Sequence, residues 1–264
     1  CTGMKWLKGL VVFLALIILL FALGLALIVI YKKEILAEVS RQLKENLNAE
    51  VTIRDADITL FSEFPNFTLR LEDAAIKDLF KAKTILVNVR TYKLFYKEIE
   101  FRSIKIIEGE VFVFRTKAGY SNLDVFKKKD TITVATTDTV RNFRLSNEKV
   151  LFQNLRFAWH DSLRNKYIGL KLVEVASEIT HWDSLIACKM NGRIDFEQLT
   201  FNKRRGSFLK DTPTNVSLAF DYHTDSMILR LQPSMVSLHE SEFGISGTFD
   251  FSSKNNVTLE ITSD

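Results

Sequence analysis

The feature that most constrains this chain is a change of period at residue 48. Beyond it, apolar side chains recur at every second position: Val51 and Ile53 alternate with Thr52 and Arg54, and Phe67, Leu69 and Leu71 with Thr68, Arg70 and Glu72. The same spacing runs through Ile85, Val87 and Val89, through Ile104 and Ile106, and through Leu155, Phe157 and Trp159. It continues in Gly192, Ile194 and Phe196, in Val216, Leu218 and Phe220, and in Val257, Leu259 and Ile261. Period two is that of a strand with one buried face. Many such segments, separated by Asn, Asp, Ser and Gly, predict a mainly β fold built on a long antiparallel sheet. No helix-period segment interrupts this body, which argues against a doubly wound or barrel α/β enzyme. The sheet must then bury its apolar face on itself, as a sandwich, a barrel or an open trough.

One stretch breaks the pattern. In GEVFVFRTKAGYSNL, residues 109–123, Val111 and Val113 point to one face and Phe112 and Phe114 to the other, so both faces are apolar. The chain is rich in such rings, with 21 Phe against 6 Tyr and 3 Trp. Rings without a polar handle suit dry surfaces.

Residues 9–31 form an uncharged apolar run of roughly 34 Å as a helix at ~1.5 Å per residue, enough for a bilayer core. It reads as a transmembrane helix. A signal peptide would be shorter in its apolar part and followed by small residues, whereas Lys32, Lys33 and Glu34 follow here. Ile35, Val39, Leu43 and Leu47 then recur every fourth residue, predicting an amphipathic helix over 32–47. The expected organisation is a short tail (1–8), the span (9–31), that helix (32–47), a first sheet segment (48–126), a polar loop or joint (127–148) and a second sheet segment (149–264). Met4 reads as the natural start, so Cys1 is not read as a lipidated terminus.

Known catalytic patterns are missing: the sequence holds no GxSxG, GxxxxGK[ST], HExxH or CxxC. His160 with Asp161, and His181 with Asp183, are the nearest approach to a polar site, and read as turn residues. No catalytic residue, metal ligand or cofactor is assigned. Cys188, between Ile186 and Met190, reads as a small buried apolar residue. The net charge of +4 is spread along the chain, without the concentrated stripe of a nucleic-acid binder. Its two clusters, Lys127 to Lys129 and Lys203 to Arg205, read as solvated loops or contacts to anionic headgroups.

Taken in order, these pieces resemble the N-terminal region of the AsmA family of bacterial envelope proteins, which includes TamB and is distantly related to chorein-type bridge-like lipid-transfer proteins. The span is followed by a helix, a strand, a Phe-Pro pair at Phe64 and Pro65, and a further strand. Gly119 and Asn122 match a glycine, two spacers and an asparagine after a strand pair. Trp159 and Asp161 match an aromatic-x-Asp turn, and Gly247 matches a glycine that ends a later hairpin. Members are commonly longer, so the chain reads as a fragment or a short version.

The resemblance implies a single-pass protein of the bacterial inner membrane with its bulk in the periplasm. The literal count of flanking lysines and arginines slightly favours the opposite orientation. It further implies support of phospholipid transport and outer-membrane biogenesis, without enzymatic activity, through acyl chains sheltered in an apolar β-trough. The candidate groove residues are Ile53, Ile58, Leu60, Phe67, Leu69, Leu71, Ile85, Val87, Val89, Ile104, Ile106, Phe112 and Phe114. The other reading is a membrane-anchored scaffold that recruits envelope proteins by strand addition, with no lipid cargo.

Overall fold

A computed structural model of the chain describes residues 50–63, 66–90, 101–126, 147–250 and 256–263. The predicted span and amphipathic helix lie outside these residues, as do Phe64, Pro65 and Lys127 to Lys129. Among the described residues, no helix is long and apolar enough to cross a membrane.

The described body is mainly β: twelve strands in one open sheet. In chain order they are β1 (Val51–Thr52), β2 (Asp55–Glu63), β3 (Asn66–Ile76), β4 (Phe80–Val89), β5 (Phe101–Arg115) and β6 (Asn147–Asp161). Then follow β7 (Lys166–Trp182), β8 (Leu185–Thr200), β9 (Leu209–His223), β10 (Ile228–Leu238), β11 (Ser241–Asp250) and β12 (Val257–Ser263). Strands β3 to β12 lie side by side in sequence order, and β1 and β2 both pair with the outer edge of β3. Among the described residues the only helical element is a 3₁₀ turn, Asn122–Phe126, after β5.

One pairing departs from the expected antiparallel ladder. β5 and β6 run parallel, from Ser103 opposite Lys149 to Arg115 opposite Asp161. Parallel neighbours need a crossover of a dozen or more residues, so the chain between Arg115 and Asn147 is not a hairpin loop. The sheet is continuous across this point.

Most strands here are longer than the usual five or six residues, and several carry irregularities that adjust their course. Asp73, Glu108 and Asn154 have positive φ angles of 47°, 53° and 53°. The flanking registers align these three with Lys83 in one line across β3, β4, β5 and β6. β7 continues the crease with a register shift between Leu172 and Glu174. Gly192 of β8 meets that bulge: a Cβ there would stand 2.1 Å from the Glu174 carbonyl oxygen and 2.7 Å from Val175 Cα. Only glycine fits so close a backbone approach.

Candidate functional site: the apolar face of the sheet

The register assembles the alternating residues into rows that cross the sheet. One row runs Ile58, Leu69, Val87, Ile104, Val150, Ser177, Met190 and Leu218, each opposite the next on the neighbouring strand. The next runs Leu71, Ile85, Ile106, Phe152, Val175, Gly192, Val216, Val236 and Phe243. Side chains directly opposite in an antiparallel pair lie about 5 Å apart at Cβ, so each row is a largely apolar strip, interrupted at Ser177 in the first and at Gly192 in the second. Where the rows cross β7 to β9, Val175, Ile194 and Val216 form a buried cluster, with Phe152, Leu170, Leu172, Met190, Leu218 and Val236 packed on it.

Most predicted groove residues belong to this face. Ile58, Phe67, Leu69, Leu71, Ile85, Val87, Val89, Ile104 and Ile106 share it, Phe67 opposite Val89 and Val89 opposite Phe101. Ile53 lies half-buried between β1 and β2, and Leu60 lies within β2.

Phe112 and Phe114 do not join them. Counting by twos from Ile104 and Ile106 puts them on the same face, but the left-handed residue Glu108 intervenes and reverses the parity. Beyond it the apolar face is carried by Gly109, Val111 and Val113. A Cβ on Gly109 would come 2.9 Å from Leu155 Cδ1, and Leu155 pairs with Leu172 of the cluster described above. Phe112 and Phe114 therefore lie on the opposite face, with rings 5.8 Å apart, and Tyr120 stands 5.9 Å from Phe114. The loop after β5 thus supplies part of the cover that the VFVF stretch needs, and Phe112 stays 37% exposed.

Gly119 and Asn122 shape this loop. Gly119 takes φ 89°, and Thr116 and Tyr120 bridge the turn around it. The Asn122 side chain, 2% exposed, donates to the carbonyls of Asp78 and Phe112 and accepts from the Phe114 N–H. It fastens the β3–β4 turn and the loop to the end of β5.

Two other turn assignments are corrected. Trp159 and Asp161 both belong to β6, and the turn is residues 162–165. The fully buried Asp161 carboxylate accepts the Arg164 N–H at 3.0 Å, while its second oxygen lies 4.0 Å from Arg115 Nη1. Gly247 sits inside β11 between Leu231 and Leu259, where a Cβ would meet the Thr258 carbonyl oxygen at 2.3 Å. It allows close strand approach and ends no hairpin.

The opposite face is charged. Lys81, Glu110, Arg156 and Glu197 form a chain of ion pairs across β4, β5, β6 and β8, at 2.7, 2.7 and 2.8 Å. Lys81, with help from Arg156, holds the Glu110 carboxyl below the ordinary carboxylate range. A depression of about 650 Å³ follows the crease on this face, but its charges are already paired, Arg54 with Asp73 at 2.6 Å and Lys83 with Glu108 at 2.7 Å. His160 faces Lys203, with Nε2 2.7 Å from Nζ; burial first, then the lysine charge, lowers its pKa, so a neutral imidazole accepts from the ammonium. His181 lies fourteen positions further along β7 than the partner of His160, on the order of 45 Å away at ~3.3 Å per residue. The two histidine pairs do not converge. No group of residues suited to a metal ion occurs among the described residues.

Sequence reasoning missed Glu148. It pairs with Ile179 next to the apolar row, is 7% exposed, and one of its oxygens has no hydrogen-bond partner. Burial pushes its pKa up to about 7. Its even spacing with Val150 and Phe152 was the available signal. Cys188 is buried, as its apolar neighbours suggested, and burial raises its thiol pKa. Compared with family models, curated proteins and solved structures, the chain matches none of them.

Proposed function

We propose that this is an AsmA-like protein whose apolar sheet face shelters phospholipid acyl chains in an open trough. In this reading residues 9–31 anchor the chain in the bacterial inner membrane, residues 32–47 form an amphipathic helix, and the sheet stands in the periplasm. There it supports phospholipid transport and outer-membrane biogenesis. The observation that carries the reading is the continuity of the apolar rows from β2 to β11, in a single sheet with no second described layer packed over them. Each methylene moved out of water contributes about 0.8 kcal/mol, so a few along these rows give a reversible hold on an acyl chain. No nucleophile or metal takes part.

The test is native mass spectrometry with lipid extraction on residues 47–264, which form one compact unit, purified without detergent. Phospholipid is expected to co-purify, and to be lost in Ile106→Asp and Leu218→Asp while circular dichroism still reports a sheet. Phe112→Asp, on the other face, should keep it. A folded, lipid-free wild type would refute the reading.

One observation favours the alternative, a scaffold that recruits envelope proteins by strand addition. Among the described residues β12 is an edge strand with no partner on its outer side, and its Val257, Leu259 and Ile261 are 63%, 47% and 60% exposed. Capture of a stoichiometric protein partner, lost in Leu259→Pro, with no lipid in the unit, would establish it.

A further inference from the structure

The two ends of the strands differ in chemistry. At one end, where β5, β6 and β8 finish and β7 and β9 begin, three loops meet: residues 116–126, 162–165 and 201–208. Backbone hydrogen bonds join them, from Ser162 N–H to the Arg115 carbonyl at 2.8 Å and from Lys203 N–H to the Asn165 carbonyl at 3.0 Å. The third loop is held by its own turn, with Arg205 N–H on the Asn202 carbonyl, and by Ser207 Oγ on the Leu199 carbonyl. They form one preorganised platform.

Its surface combines two kinds of side chain. Tyr120, Leu123, Leu163, Phe201 and Phe208 are 56%, 44%, 52%, 49% and 74% exposed, and the last two rings stand edge to face 5.3 Å apart. The same three loops carry Lys117, Arg164, Arg204 and Arg205, all exposed and in no ion pair among the described residues. Lys203 turns back to His160 and the Tyr167 ring. Asp124 is the one acidic residue in the three loops. Neighbouring turns at the same end, residues 77–79 and 239–240, add no net positive charge, so among the described turns of this end the charge is concentrated on the platform. At the other end, the described turns after β7 and β9 carry Asp183 and Asp225 and no Lys or Arg.

We infer that this platform docks on an anionic lipid bilayer. Exposed aromatic and aliphatic side chains gathered at one end of a sheet cost solvation unless something covers them. Aromatic rings and leucines seat at the headgroup boundary, while each basic side chain near an anionic surface contributes about 1 kcal/mol. Nucleic acid would use the charge but leave Leu123 and Leu163 without a role. The inference does not depend on acyl-chain sheltering, because the platform and the apolar rows are separate residues that separate variants address.

The test uses the full chain reconstituted in zwitterionic nanodiscs and mixed with vesicles of phosphatidylcholine, with or without 40% phosphatidylglycerol. Co-flotation is expected with the anionic vesicles alone. Arg204→Glu combined with Arg205→Glu should reduce it at least about tenfold, and Phe201→Ser with Phe208→Ser several-fold, with circular dichroism unchanged in both. Asp183→Asn at the other end should have no effect. Equal co-flotation with zwitterionic vesicles, no loss in the folded variants, or capture of a single-stranded oligonucleotide without capture of vesicles would overturn the inference.

Discussion

The two margins of the apolar face obey the same alternation and end in opposite states. At β3 and β4, Phe67, Leu69 and Val89 are 0%, 1% and 1% exposed, whereas at β12 Val257, Leu259 and Ile261 are 63%, 47% and 60% exposed. Leu69 has Ile58 on one side and Val87 on the other. Among the described residues Leu259 has a strand partner on one side only, and that partner is Gly247, which has no side chain to pack. Within an uninterrupted stretch of strand, alternation therefore shows which residues share a face, while the neighbouring strands decide how far that face leaves water.

The comparison breaks most directly at Phe67. Truncation to Ala is expected to cost about 3–5 kcal/mol in denaturant unfolding, as for a large ring lost from a closed site. A cost near zero would mean that the low exposure reflects no real packing.

Glu148 tests the middle of the face. Its folded pKa of about 7 lies above the ordinary 4.5, so the folded state holds a proton that the unfolded state releases. Its stability contribution is complete below pH 4.5 and is lost as pH rises through 7. Glu148→Gln should therefore be more stable than the wild type by up to about 3 kcal/mol at pH 8, with no gain at pH 4. Thermal unfolding at the two pH values checks it, and an equal gain at both would remove the buried carboxyl as the cause.

Asn122→Ala strands the Asp78 and Phe112 carbonyls and the Phe114 N–H together, at an expected cost of about 2 kcal/mol. Faster amide exchange at Phe114, with β7 to β9 unchanged, would locate the loss at the β3–β5 end. The smallest effect belongs to the exposed margin, where Leu259→Ala should cost less than about 1 kcal/mol by the same unfolding assay. A larger loss would mean that β12 is covered in solution.

Much of this face was legible before the structure. The pairs Ile104 with Ile106 and Leu69 with Leu71 follow from spacing alone. Phe112 and Phe114 were misplaced because one residue, Glu108, takes a left-handed conformation that no pattern of apolar residues announces; a glutamate at φ 53° is rare. Trp159 and Asp161 were placed in a turn by the resemblance to an aromatic-x-Asp turn, yet the β6 ladder runs on to Asp161. The platform at the loop end was visible only as Lys203 to Arg205. Phe208 and Leu163 lie apart in sequence and meet that cluster through the strand order.

What the sequence alone determined is the β class and which residues alternate within each uninterrupted stretch of strand, because side-chain alternation in a strand is a local geometric fact. Only the tertiary structure decided that β6 lies parallel to β5, that the crease reverses the parity of β5, and which apolar residues remain in water. Those outcomes depend on residues far apart in the chain, and a hydrogen-bonded neighbour or an open edge leaves no mark on the residues it covers or exposes.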